Sequence, residues 1–300
     1  MLHRGALAAM GTRFEIVAGG PDPRLLRAAV EQAFEEIVTC HRLWNVFSSD
    51  SLLSKIHSEA FLRPIPIDSL TLDLLEHCAR LHSETDGTFD PVIGADLAHG
   101  DPRRESVAGD PPRDGFGGVE VDRKAATIRL LESRLRFDLG AVAKGYACDL
   151  AAEILREAGV SRALIHGGTS SVVAIGCPEG RRDWAIEVKG RDGDPVHLRD
   201  RCLAVSSAHG GGGFGHIIDP ATGARISTHR PGAVVIGPRA TDCDAWATAL
   251  TVAGFDSEVA TRLPISLEGY PIEAVPSIDE HIHSGTPVEE ERWKRTVEIF

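Results

Sequence analysis

The feature that most constrains the fold of this chain is a change of hydrophobic period part-way along it. Before residue 94 apolar residues recur mainly at helical spacing. Leu26, Val30, Phe34, Ile37 and Val38 place an amphipathic helix over 23–42, and Leu70, Leu74, Leu75, Cys78 and Leu81 place another over 70–82. Asp50-Ser51 reads as the cap of a short helix running through Ile56. In this half only Thr12–Ala18 alternates as a strand, broken by Gly19-Gly20-Pro21. From residue 119 short strand-like runs take over. Val119–Val121 and Ala126–Leu131 form a hairpin, Leu135–Leu139 a further strand, and 162–167, 171–176, 184–189, 202–206 and 232–237 five more. Two helices interrupt them: 144–158, closed by Gly159 as the C′ residue, and 242–254, started by Asp242. Blocks in this order exclude strict βαβ alternation and predict an α+β fold, with largely antiparallel sheets and flanking helices.

The stretch 94–118 is rich in Gly, Pro, Asp and Arg without apolar period, and reads as a loop at the break between two subdomains. Residues 264–300 are Pro-rich and acidic, which leaves a core of about 10–264 within a single 300-residue domain. A net charge of −12 excludes nucleic acid and an anionic membrane surface as bulk electrostatic partners. A polyanionic ligand must then be met by local positive charge, a metal or helix N-termini. No two of the six cysteines lie within four residues of each other, so the chain has neither zinc-finger nor CxxC spacing, and reduced, buried thiols are expected. Met1–Met10 is too short for a secretory apolar region and no apolar run reaches transmembrane length, which predicts a cytoplasmic protein.

Several generic motifs fail on context. Gly210–Gly215 matches GxGxxG, but no helix follows it. His209 with its glycines resembles an esterase oxyanion loop, but the chain has no GxSxG elbow. Three other stretches carry chemistry. In Asp138–Tyr146 an acidic residue at a strand end leads through a Gly-containing loop into a helix, where amides and Lys144 can meet a phosphate. The bland alternative is that Asp138 caps its own turn and Lys144 is solvated. In His216–Gly223, Asp219-Pro220 with Thr222-Gly223 is a turn signature, and His216 is either a packing residue or a base. In Thr241–Leu250, Asp244 and Thr248 lie four apart on one helix face and form a hard-oxygen pair suited to Mg²⁺. The alternative there is N-terminal capping by Asp242 or Asp244.

Together these stretches resemble the ApbE-type FAD:protein FMN transferase family. Four further segments carry the resemblance: Met10-Gly11-Thr12, Asp50-Ser51 with Leu53 and Ser54, Gly87–Pro91 and Ala163–Gly168. The resemblance implies an ApbE-like α+β fold with two interleaved subdomains around a flavin cleft. It implies Mg²⁺-dependent cleavage of FAD, transfer of FMN to a Thr hydroxyl of a partner flavoprotein, and release of AMP. Carried over by position, the metal would be held by the Ala141 carbonyl and the Asp244 and Thr248 side chains, with Asp244 also catalytic. Asp138 and Lys144 would contact FAD, Met10 and Phe47 would lie near the flavin ring, and Ile217 near the nucleotide. His216 would be the base. The chain departs from the family pattern at Phe47, where Tyr is common, at Ala95–Gly100 and at Ser206–Gly215. Two alternatives therefore stay open: an FAD pyrophosphate hydrolase giving FMN and AMP, and a catalytically silent flavin-binding protein.

Overall fold

The computed structural model describes residues 1–93, 115–191, 193–208, 217–273 and 297–299. The predicted loop up to residue 114, the Gly210–Gly215 run, His209, His216 and most of the 264–300 segment lie outside them.

The centre is a seven-stranded sheet in the order β1 (Leu2–Ala9), β2 (Thr12–Gly19), β6 (Arg162–Gly167), β7 (Ser171–Ile175), β10 (Cys202–Ser206), β13 (Gly232–Gly237), β14 (Glu268–Ile272), antiparallel at every pairing. Its middle strands read as near-continuous apolar runs because both faces are covered. On one face pack α1 (Pro23–Trp44), α4 (Ala143–Glu157) and α5 (Ala240–Ala253), around Phe14, Ile16, Ile165, Val173 and Val235. On the other, Leu164, Val172, Leu203 and Val234 meet a small sheet in which β8 (Trp184–Val188) is flanked by β9 (Val196–Leu198) and β15 (Val297–Ile299). A third sheet holds β3 (Ile65–Pro66), β4 (Val119–Asp122) and β5 (Thr127–Leu130), and β11 (Ile218–Asp219) pairs with β12 (Ala224–Arg225). Among the described residues the remaining α-helices are α2 (Leu52–Glu59), α3 (Ser69–Glu84) and α6 (Glu258–Thr261), and Gly115–Gly118, at the end of the predicted loop, form a short 3-10 helix.

Local chemistry sets the helix ends. Asp22 caps α1 by accepting from the Arg24 and Leu25 amides, with Pro23 in the first turn. Ser51 caps α2 and Asp68 caps α3. At the end of α4, Gly159 takes φ +79° and the Val160 N–H reaches back to the Leu155 carbonyl, the closure its sequence position predicts. All six cysteines are free, and five of them are buried. Among the described residues no helix is long and apolar enough to cross a membrane.

Two local expectations are corrected. Leu135–Leu139 has strand-like alternation but joins no sheet. Its backbone is satisfied elsewhere: the Phe137 N–H donates to His57 Nε2 at 2.9 Å and the Asp138 N–H to the Pro91 carbonyl at 2.7 Å. Helix α5 begins at Ala240 rather than Asp242, and neither Asp242 nor Asp244 caps it. Asp242 instead pairs with Arg80 of α3 at 2.5 Å. In addition β1, β9 and β14 were not read from the sequence.

Candidate functional site

Met10 and Gly11 turn β1 into β2 with φ of +50° and +71°, the left-handed pair that a two-residue hairpin needs. The Met10 N–H donates to Nδ1 of His41 in the last turn of α1, at 3.2 Å. Three residues on, Trp44 is fixed through its indole N–H, which donates to Thr71 Oγ1 at 3.0 Å, while that hydroxyl donates to Asp68 Oδ2 at 2.7 Å. Phe47 follows the end of α1 and is 59% exposed. These side chains form one wall of an open cleft of about 250 Å³.

The facing wall is the loop from Asp138 and the first turn of α4. Asp138 Oδ1 accepts from the Gly140 N–H at 2.8 Å, so it does cap its own turn, and it faces the same cleft. Lys144 Nζ donates to the Gly140 carbonyl at 2.5 Å. The structure thus brings Met10, Phe47, Asp138 and Lys144 together. His41 and Trp44 share the cleft and were missed, because nothing in their helical spacing separates them from core or surface positions.

Immediately behind Lys144 lies a buried polar junction. Helix α4 starts at Val142 with no side-chain cap, and α5 at Arg239 with none. Each is capped by the other's carboxylate. Asp244 of α5 accepts from the Gly145 N–H at 2.8 Å. Asp149 of α4 accepts from the Ala240 N–H at 2.9 Å, the Thr241 N–H at 2.9 Å and the Thr241 hydroxyl at 2.6 Å. Ser171 at the start of β7 donates to Asp244, at 2.7 Å to Oδ1 and 3.0 Å to Oδ2. Glycine at 145 allows this approach, since a Cβ there would lie 2.4 Å from the Ala240 carbonyl oxygen. Burial pushes the Asp244 carboxyl up to about 6, against the opposing pull of the Lys144 charge and of its hydrogen bonds. Burial also raises Asp149, while the Thr241 and Ala240 donors and Arg239 pull it down.

The donor set at this junction fits a hard divalent cation. Asp244 is 6% exposed, and among the described residues no Lys, Arg or His nitrogen lies within ion-pair distance of it, which leaves a buried carboxylate wanting positive charge. Thr248 lies one turn on, its hydroxyl donating to the Asp244 carbonyl at 3.1 Å and keeping its lone pairs. Because Gly145 donates to Asp244, the Ala141 carbonyl accepts no hydrogen bond among the described residues. Carboxylate, hydroxyl and carbonyl oxygens are what Mg²⁺ takes, with water and phosphate completing its shell. No cluster of three or more His, Cys, Asp or Glu side chains at ligating distance exists among the described residues. Ile217 is not in the cleft. Its side chain packs with Ala208, Ile226 and Val252, and its carbonyl accepts from the Ile226 N–H at 3.0 Å. Asp219 holds its turn by accepting from the Ala221 N–H at 3.0 Å.

The family model described as "ApbE family" matches residues 10–266. The chain belongs to the ApbE family. Named relatives share the sequence over most of its length. The FAD:protein FMN transferase of Treponema pallidum is 26% identical over 268 residues, covering 78% of this chain and 74% of that protein. That of Klebsiella pneumoniae is 25% identical over 273 residues, covering 82% and 77%. The ApbE protein of Thermotoga maritima superposes with a TM-score of 0.74 at 25% identity, covering 90% of this chain and 94% of that one. The apo flavinyl transferase ApbE of Pseudomonas stutzeri gives 0.76 at 20% identity, covering 92% of each, and supports the shared fold. The mixed helices and antiparallel sheets of this ApbE-family chain are those of its structural neighbours.

Proposed function

We propose that this protein transfers FMN from FAD to a Thr hydroxyl of a partner flavoprotein, releasing AMP, with Mg²⁺ as the required cation. One observation carries the reading: consecutive residues at the start of α4 serve both the cleft and the junction. Lys144 lines the cleft, and the next amide, Gly145, holds Asp244. A dinucleotide lying in the cleft would therefore place its bridging phosphates beside the hard-oxygen donors of Ala141, Asp244 and Thr248. The relatives' names as FAD:protein FMN transferases support the same donor and a protein acceptor.

The residues divide the work. Lys144 and the amides of the loop and helix start bind the pyrophosphate and offset the chain's acidic net charge locally. Met10, Trp44 and Phe47 supply apolar and aromatic surface for the isoalloxazine ring. Asp138 offers a carboxylate to a ring-edge or ribose donor. Asp244, Thr248 and the Ala141 carbonyl would hold the cation, which when bound neutralises phosphate charge and favours in-line displacement. The acceptor Thr oxygen forms a new bond to the FMN phosphorus as the bridging P–O bond to AMP breaks. His216 takes the hydroxyl proton, a contribution typically of about 10²–10⁴-fold.

The test is incubation of the purified protein with FAD, Mg²⁺ and candidate flavoproteins, followed by in-gel flavin fluorescence and AMP assay. Flavin on the acceptor with stoichiometric AMP is expected, and loss of both on replacing the target Thr by Val. AMP without labelled acceptor would make the protein a hydrolase. Tight FAD binding without AMP would make it a silent binder.

A further inference from the structure

We propose that Asp149 is a positioning residue for the Asp244 site, acting as a cap in trans that locks the first turn of α5 to α4. The inference rests on the proposed metal-binding role of Asp244 for its functional consequence, but its structural content stands on geometry alone. Arg239 occupies the N-cap position of α5 with suitable extended dihedrals, φ −129° and ψ 133°, yet makes no side-chain capping bond. The open amides of Ala240 and Thr241 go instead to a carboxylate 91 and 92 residues away in sequence. Asp149 is 7% exposed, and Thr241 also donates its hydroxyl to it, so the carboxylate holds the first two residues of α5 at three points.

The two helices exchange caps. Asp149 sits one turn past Gly145 on α4, and Asp244 one turn past Ala240 on α5, so each carboxylate closes the other helix's start. Such a pair of reciprocal bonds fixes translation along both helix axes, which a cap in cis cannot do. A slip of α5 by a fraction of a turn would carry the Asp244 carboxylate off the Gly145 amide and away from Ser171. Stabilising α5 and positioning Asp244 are therefore separable, and Asp149 does both.

The separation gives the experiment. Asp149→Ala removes the cap in trans, and Asp149→Ala with Arg239→Ser supplies one in cis. Thermal denaturation, hydrogen exchange of the Gly145 amide and the Mg²⁺ dependence of flavin transfer are measured on each, using the full chain. Asp149→Ala should lower Tm, speed Gly145 exchange at least tenfold, and raise the half-saturating Mg²⁺ at least tenfold while kcat at saturating Mg²⁺ stays within about threefold. The double variant should recover Tm but not the Gly145 protection or the Mg²⁺ requirement. If Gly145 stays protected in Asp149→Ala, or if Arg239→Ser restores all three readouts, Asp149 is only a helix cap and the inference is overturned. Should the wild-type protein show no flavin transfer, the proposed function fails while Gly145 exchange still decides this point. Where Asp149→Ala does not fold, Asp149→Asn, which keeps one acceptor oxygen, is read in the same way and should show the same changes at smaller size.

Discussion

The two sides of the first turn of α4 make opposite demands on the chain. Toward solvent, Lys144 and its neighbours face an open cleft whose far wall is the Met10 turn and Phe47. Toward the core, Gly145 faces a junction in which Asp149, Ser171, Thr241 and Asp244 are all buried and all bonded to one another's elements. On the cleft side Asp138 and Lys144 each bond Gly140, and those groups border open solvent. The junction side is a network at close quarters, where removing one member strands a buried partner. Removing the proposed cation ligand from the junction should therefore change function by orders of magnitude, and substitutions at the rim by about tenfold or less.

The strongest break is Asp244→Ala. It removes the one buried carboxylate of the proposed cation site, and flavin transfer should fall about a hundred- to a thousandfold, the scale of losing a principal electrostatic stabiliser. The fold should persist by circular dichroism with a lowered Tm, because Gly145 and Ser171 lose their acceptor while Asp149 still holds the start of α5. Transfer that survives within tenfold would separate the metal from this junction.

Gly145→Ala tests closeness rather than charge. Alanine favours a helix by about 1 kcal/mol. Here, however, its Cβ would meet the Ala240 carbonyl carbon at 2.6 Å, backbone that has no rotamer to adjust. Net destabilisation of about 1–3 kcal/mol is expected in urea denaturation, as for other overpacked sites, with a higher half-saturating Mg²⁺ as α4 and α5 part. A gain in stability would mean that the helices do not touch as closely as the reciprocal caps require.

A buried group without partners gives the control for these bonded carboxylates. His166 on β6 has a buried Nε2 with no hydrogen-bond partner among the described residues, and burial pulls its pKa down to about 4. Above the ordinary value of 6.5 it is neutral folded and unfolded, and contributes nothing to pH dependence. As pH falls from 6.5 toward 4 the unfolded chain takes up a proton that the folded one refuses, so stability is lost through that window. His166→Leu should abolish this part of the slope, a difference of about 3 kcal/mol at pH 4. Comparing the two proteins at each pH cancels the contributions of Asp149 and Asp244, and parallel curves would show that His166 finds a partner.

What was legible in the sequence follows the same division. The placement of Asp138 and Lys144 at one loop-to-helix turn, and of Asp244 and Thr248 on one helix face, is readable because it is local: a loop entering a helix, and two oxygens four residues apart. Asp149 and Ser171 were not, since their partners lie 91 and 73 residues away and each looks like an ordinary polar residue in its own element. The sheet shows a similar limit. β1 holds Gly5, Ala6 and Ala8, poor strand formers that only pairing with β2 makes extended, and β14 carries Pro271, tolerable because it lies on the sheet's edge. Leu135–Leu139 fails the other way. It has the alternation of a strand, but a histidine side chain and a loop carbonyl take its amides. Periodicity reports which side chains are buried, and not where the backbone bonds go.

At the rim the expected effects shrink. Lys144→Met removes a point charge from a site that still has loop amides and the start of α4. FAD affinity, read by quenching of cleft-lining Trp44, should weaken about tenfold, or about 1.4 kcal/mol, and the loss should diminish at high salt.

Phe47→Ala should be the smallest change. Phe47 stands at the mouth with 59% of its surface exposed, so in the free protein little core packing is lost when it is truncated. Its backbone N–H stays on Asn45 Oδ1 at 3.0 Å, which does not depend on the side chain and keeps the turn after α1 in place. What disappears is one aromatic face of the cleft, which on the proposed reading packs on the flavin and is worth about 0.5–1.5 kcal/mol, so FAD affinity should fall two- to tenfold while kcat and Mg²⁺ dependence hold. Phe47→Tyr keeps that face and should match the wild type. A loss at Phe47→Ala as deep as that at Asp244→Ala would break the comparison itself, because the open rim would then share the intolerance of the buried junction.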